Sequence, residues 1–288
     1  MKEDNPAYGA LLVSCAALMF ASMGVLIRLA SHELPNETVV FFRNLFGLLV
    51  LLPLVWRQGV SHSLKTAHPL LHLLRSLFGL AAMYCFFYAL ANMPLASAVL
   101  LNFTAPLFIP FIALLWLKES VDARVTVAIL VGFSGVLFVL RPGSGLYSQV
   151  ALIGLASGAF AAVAMVSLRR LSRTEPPFRV VVLYGITCTT ISLIPLLWGW
   201  QAPGTGALLQ LAGAGTFATA GQYLLSKGYG YAPAAQIGPF TYTSVVFAAV
   251  YGWYFWQEIP DGLSATGTLL IVIAGVLAMR KRNVAVVA

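Results

Sequence analysis

Residues 84–122 read YCFFYALANMPLASAVLLNFTAPLFIPFIALLWLKESVD, and residues 223–261 read YLLSKGYGYAPAAQIGPFTYTSVVFAAVYGWYFWQEIPD. Tyr84, Pro94, Ala96, Glu119 and Asp122 fall on Tyr223, Pro233, Ala235, Glu258 and Asp261 at one constant offset of 139 residues. In the first copy two apolar runs flank the short break Ala91-Asn92-Met93-Pro94, and an acidic exit follows. The chain has 288 residues, so the period is close to half of it. One apolar unit used twice is the pattern expected of a membrane transporter.

Composition sets the solvent. Sixty per cent of residues are hydrophobic and only 9% are charged, with a mean hydropathy of +0.88. Soluble domains carry about 25% charged residues, so most of this surface faces lipid. A membrane span takes roughly 20 apolar residues. The sequence supplies ten such stretches: Tyr8–Leu29, Asn36–Trp56, Leu70–Ala91, Leu95–Leu117, Arg124–Leu140, Tyr147–Leu168, Phe178–Trp198, Thr205–Lys227, Ala234–Trp256 and Leu263–Met279. The predicted fold is therefore all-α, a polytopic membrane protein of ten transmembrane helices.

The basic residues orient it. With the N-terminus in the cytoplasm, only Arg28 and Arg141 lie on the outer side and Arg43 lies within the second span. The other fourteen of the 17 Lys and Arg residues fall on the inner side. Cytoplasmic loops carry this excess, which places both termini in the cytoplasm. It also accounts for the net charge of +8 without nucleic acid as a partner. The six tryptophans sit at span ends, where indoles favour the interface.

Five spans per repeat is an odd number, so the second unit (142–288) enters the membrane upside down relative to the first (1–141). Such an inverted pair encloses a midplane cavity that rocking can open to either side. The echoes are weaker elsewhere: Gly135-Val-Leu with Gly275-Val-Leu, Phe20 with Phe160, Arg28 with Arg169. Gly154-x-x-x-Gly158 suggests a close helix approach. The cysteines Cys15, Cys85 and Cys188 show neither disulfide nor metal spacing, and no metal or cofactor is expected.

All nine acids fall in loops or at span ends, so no midplane carboxylate carries a proton or cation. No nucleophile–base set sits in an apolar span, which argues against an enzyme. Two cations stand out. Arg43 lies a third of the way into the second span beside Asn44, and Lys227 ends the eighth. An intramembrane cation is costly unless it faces a cavity, a partner or the headgroups. Either could meet the carboxylate of a solute. Tyr84 and Tyr88 are four apart and share a helix face. Asn102 and Thr104 lie mid-span, and Pro106 and Pro110 free backbone carbonyls there. In the second copy Pro239 frees Ala235, near Gln236, Thr241, Tyr242 and Thr243. Two kinked helices with hydrogen-bonding groups among aromatic rings are the expected walls of a small-molecule site.

These residues resemble the drug/metabolite transporter superfamily, specifically its EamA-type exporters, over essentially the whole chain. The signature is YALANMPLASAVLLNFTAPLF…LLWLKESVD. The second copy keeps it in YGYAPAAQIGPFTYT…WQEIPD, with Thr241 in place of Asn102. Within the superfamily the sequence is most similar to the YddG-type bacterial exporters of aromatic and other amino acids. The resemblance implies an exporter of the bacterial inner membrane with a central cavity between the repeats. Without a buried acid it would run as a facilitator or exchanger, as a monomer or weak homodimer surrounded by lipid. The expected site residues are Arg43, Asn44, Tyr84, Tyr88, Asn102, Gln236, Tyr242 and Lys227. Two other readings stand beside it. Export of lipophilic cations would, by the same resemblance, require a membrane-embedded glutamate, which the first span lacks. A non-transporting scaffold would show no flux.

Overall fold

A computed structural model describes residues 5–59, 64–112, 123–140, 146–171, 174–228, 231 and 238–279. Its helices are α1 Pro6–Ala30, α2 Asn36–Gln58, α3 Pro69–Asn92, α4 Leu95–Asn102, α5 Ala105–Ile112, α6 Ala123–Leu140, α7 Leu146–Leu171, α8 Pro177–Leu196, α9 Thr205–Gly228, α10 Thr243–Trp256 and α11 Gly262–Met279, with a 3-10 turn at Gly238–Tyr242 before α10. No strand occurs among the described residues. Eight of the ten expected spans are single helices. The fourth is α4 plus α5, and the ninth is the 3-10 turn plus α10.

Proline sets many of the boundaries. Pro6, Pro69 and Pro177 open α1, α3 and α8, where the missing N–H costs nothing. Pro35, Pro94 and Pro176 precede α2, α4 and α8 in extended conformation. Pro94 also forces Met93 out of the helical region, which ends α3. At Pro106, two residues into α5, no N–H is available to Asn102, and the fourth span breaks at Phe103–Thr104. The repeat offset carries that break onto Tyr242–Thr243, where the 3-10 turn gives way to α10.

The loops sort into two sets. Gln201 Nε2 donates to the Glu33 carbonyl at 2.9 Å and Thr38 Oγ1 to Gly199 at 3.1 Å. Glu258 meets Arg28 and the start of α4. These contacts gather the ends between α1 and α2, α3 and α4, α8 and α9, and α10 and α11. The other set joins Glu175 to Thr66 and Ala67, and Asn5 to Tyr231. The helices joined by these loops therefore run in alternate directions, as the expected topology requires.

Packing exchanges between the halves. α1 packs along α9 and α3 along α7; α2 meets both α9 and α8, and α8 also meets α3; α6 and α11, the last spans of each half, pair with one another. Replacing each span by its counterpart reproduces the same set of neighbours, as a pseudo-two-fold axis demands. The weak phenylalanine echo has a structural basis here. Phe20 on α1 lies against Gly221 of α9, and Phe160 on α7 lies 6.2 Å from Phe78 of α3. Gly154 and Gly158 bring α7 against Leu101 and the Phe103–Thr104 break. The core along this seam is built from Phe87, Leu90, Leu95, Leu100, Leu101, Leu211 and Ile271, all 1% exposed or less. Each such side chain contributes about 1.5–3 kcal/mol when withdrawn from water, and less where lipid is the alternative.

Candidate functional site

Arg43 enters the interior from α2, seven residues and so roughly 10 Å from that helix's outer end. Its Nη1 donates to Asn44 Oδ1 at 2.9 Å and its Nη2 approaches Met23 Sδ at 3.9 Å. Arg43 Nε and Asn44 Nδ2 are buried with no partner. Among the described residues no carboxylate pairs with this guanidinium, since the ion pairs are Arg28–Glu258 and Arg179–Glu175. Burying a cation without its counter-charge is expensive, so an anion is the natural complement at this point.

A second arginine also turns into the protein, nearer the inner end. Arg75 lies six residues into α3 from its inner end. Its guanidinium does not turn outward: it stacks 4.6 Å over the Tyr184 ring, and Nη1 donates to the Val180 carbonyl at 3.2 Å. Cys188 lies one turn beyond Tyr184 on α8. The Cys188 thiol rests 3.8 Å from the Ser76 carbonyl, while Ser76 Oγ has no partner. By its place in the sequence Arg75 counts only as an orienting charge. A signal was present: FFRNLFG at 41–47 and LLRSLFG at 73–79 share an Arg, a small polar residue, Leu, Phe and Gly. The glycine at 79 has a steric purpose, because a Cβ there would stand 2.8 Å from Tyr184.

The remaining expected residues divide. Tyr84 points its hydroxyl into the interior with no partner, and its carbonyl accepts from Asn36 Nδ2 at 2.9 Å. Tyr88 does not share that environment. It is 40% exposed near the end of α3, so four-residue spacing did not give the pair a common role. Asn102 Nδ2 donates to Ser157 Oγ on α7 at 3.1 Å. The Tyr242 hydroxyl donates to the Phe103 carbonyl at 3.2 Å, with the two rings 5.9 Å apart. Both therefore brace the broken fourth span. Gln236 lies outside the described residues. Lys227 is in the last turn of α9, and the following Gly228 rests on Gly9, Leu12 and Val13 of α1. Arg43 meets the same helix at Met23, about 15 Å further along, so the structure does not bring the two cations together. His72 is buried in the first turn of α3 with Nε2 unpartnered.

At the outer end, Arg28 and Glu258 form an ion pair of 2.6 Å. Glu258 Oε2 also accepts the Leu95 N–H at 2.9 Å, capping α4, which has no side-chain cap of its own. Arg28 stacks 4.3 Å over Trp256, so this tryptophan is a packing partner and not only an interfacial belt residue. An apolar pocket of about 450 Å³, lined by Leu193, Ile194, Leu196, Leu197 and Trp200, lies at the outer end of α8 and offers nothing to a polar solute.

The EamA-like transporter family model matches the chain twice, over residues 7–141 and 149–280. The pseudopaline exporter CntI of Pseudomonas aeruginosa is 35% identical over 281 residues, covering 96% of this chain and 97% of that protein. A riboflavin transporter of Vibrio cholerae is 29% identical over 276 residues, covering 94% and 93%. An S-adenosylmethionine uptake transporter of Rickettsia felis is 28% identical over 264 residues, covering 91% and 87%. A solved crystal structure superposes with a TM-score of 0.66 at 20% identity, covering 93% of this chain and 96% of the other, a likeness of fold. These relatives are named as transporters. The chain belongs to the EamA-like transporter family, as a multi-pass protein of the bacterial inner membrane.

Proposed function

We propose that this protein exports amino acids, aromatic and other neutral ones among them, or related small carboxylate-bearing metabolites by alternating access. The observation that carries the reading is Arg43: a guanidinium in the membrane interior, hydrogen-bonded only to neutral groups, with its Nε and the adjacent Asn44 amide unpartnered. A solute carboxylate supplies the acceptors these donors lack. Tyr84 offers a further hydroxyl and aromatic surface to the rest of the solute. The relatives named for pseudopaline, riboflavin and S-adenosylmethionine support a small-metabolite cargo, and their names include both export and uptake. None of the described acids lies deep in a span, which supports downhill transport or exchange over direct proton coupling.

The test is flux through proteoliposomes preloaded with labelled phenylalanine or threonine, with and without a pH gradient. Efflux at equal rates under both conditions is expected, with Arg43→Gln reducing it at least tenfold and Arg43→Lys retaining part of it. Failure of every carboxylate-bearing solute to cross would overturn the reading.

A further inference from the structure

We infer that Met23 holds the place of the solute's carboxylate, which docks side-on against Nε and Nη2 of Arg43 by displacing the methionine sulfur. This rests on the carboxylate reading above and assigns the residue on α1 that regulates access to that site. In a guanidinium, Nε–H and the neighbouring Nη2–H point the same way and form one two-donor edge of the fork. Asn44 Oδ1 engages the other terminal nitrogen, Nη1, at 2.9 Å. On the Nε–Nη2 edge, Nε is buried with no partner. Among the described residues Nη2 meets only Met23 Sδ, at 3.9 Å. A thioether is a weak acceptor with one sulfur, whereas a carboxylate brings two oxygens at the spacing of that edge.

The neighbours of Arg43 differ in what can move. The α2 backbone is held by α9, where Gly215 lies against the turn from Arg43 to Gly47. A Cβ added at Gly215 would stand 2.7 Å from the Gly47 nitrogen and 2.9 Å from the Arg43 carbonyl oxygen. Thr219 Oγ1, one turn on, donates to the Gly47 carbonyl at 3.2 Å. Asn44 is 3% exposed and follows Arg43 on the same held turn. Met23 is different, because it stands on another helix and its unbranched side chain turns about three bonds. At 6% exposed it covers the donor edge of a buried cation while no anion is there. Leucine would cover the same area but offer Nη2 no acceptor. Glutamine would present an amide oxygen and hold the edge far more firmly than sulfur does.

The experiment titrates the purified full-length protein in detergent with phenylalanine, 3-phenylpropionate and phenethylamine, reading half-saturation from ligand-induced thermal stabilisation. The first two share the carboxylate, and phenethylamine lacks it. Met23→Gln should raise the half-saturation concentration of both acids about tenfold, as a hydrogen bond to a charged group provides. Met23→Leu, which leaves Nη2 without an acceptor in the empty site, should lower it about threefold. Opposite signs are the signature, since a packing role alone would make the two substitutions act alike. An unchanged or raised value in Met23→Leu, or no rise in Met23→Gln, overturns the placeholder and leaves the carboxylate reading standing. Stabilisation by phenethylamine equal to that by phenylalanine, or by none of the three, overturns both. If Met23→Gln does not fold, the direction of the Met23→Leu shift decides the matter.

Discussion

Arg28 Nη1 and Glu258 Oε1 meet at 2.6 Å, tying the end of α1 to the turn after α10, while the second oxygen of the same carboxylate holds the first N–H of α4. Three spans drawn from both halves thus converge on one side chain at the outer face. The carboxylate latches these elements to one another at the outer end, and any separation of them has to break it.

Breaking the latch should loosen that end more than the rest. Side chains only 12% and 19% exposed leave a costly lone charge when one partner goes. Glu258→Ala is expected to cost about 3 kcal/mol and to raise the labelling of a cysteine introduced at Leu95. The exchange Arg28→Glu with Glu258→Arg should recover part of the stability but not the α4 cap. Thermal unfolding in detergent and maleimide labelling from the outer side check both statements.

Tyr242 and Gly275 make a paired test on the seam. A Cβ on Gly275 would fall on the Tyr242 hydroxyl, so Gly275→Ala forces the ring off the Phe103 carbonyl and should cost about 1–3 kcal/mol. Tyr242→Phe removes only the hydrogen bond and should cost about 0.5–1 kcal/mol. Adding Tyr242→Ala to Gly275→Ala should relieve the clash. Equal losses for the two single variants would contradict the geometry.

Glu175 gives a pH signature. Burial by itself pushes its carboxyl upward, but hydrogen bonds from Thr66, Arg179 and Ala67 and the Arg179 charge outweigh it and hold the group below the usual carboxylate range. A lowered folded value means the contribution is fully present above the ordinary value of 4.5 and is lost as pH falls through the folded one. Melting temperatures of the unmodified protein and of Glu175→Gln should therefore differ by a constant amount from pH 6 to 8 and converge under acid. A gap that widens on acidification would refute this.

Gln257 is a non-glycine residue at φ 56°, and it closes α10 through its N–H to Trp253 at 3.0 Å while Glu258 N–H returns to Gly252 at 3.1 Å. A left-handed backbone costs a side-chain-bearing residue about 1 kcal/mol. Gln257→Gly should raise the melting temperature by a few degrees, and a fall would show that the side chain makes a contribution larger than the strain.

The span boundaries were legible because proline and apolar run length act locally, and Asn36, Leu95 and Thr205 begin their helices where the sequence places them. Arg43 was legible for a similar reason: a cation far from either end of an apolar run needs an explanation. Arg75 was not, since its distance from the inner end suits an orienting charge, and only its rotation towards α8 separates the two roles. Helix rotation also parts Tyr88 from Tyr84, because spacing fixes which residues share a stripe but not what the stripe faces. Arg28 and Glu258 both read as ordinary loop charges; their pairing depends on α1 packing beside α10, which the one-dimensional pattern does not encode.

Phe103 and Tyr242 are 139 residues apart, the period of the duplication, so the bond between them joins a residue to its own duplicate. Phenylalanine has no hydroxyl to return the favour. The molecular halves are thus alike in shape but joined by an unreciprocated bond, and their pseudo-two-fold symmetry is broken at that single oxygen atom.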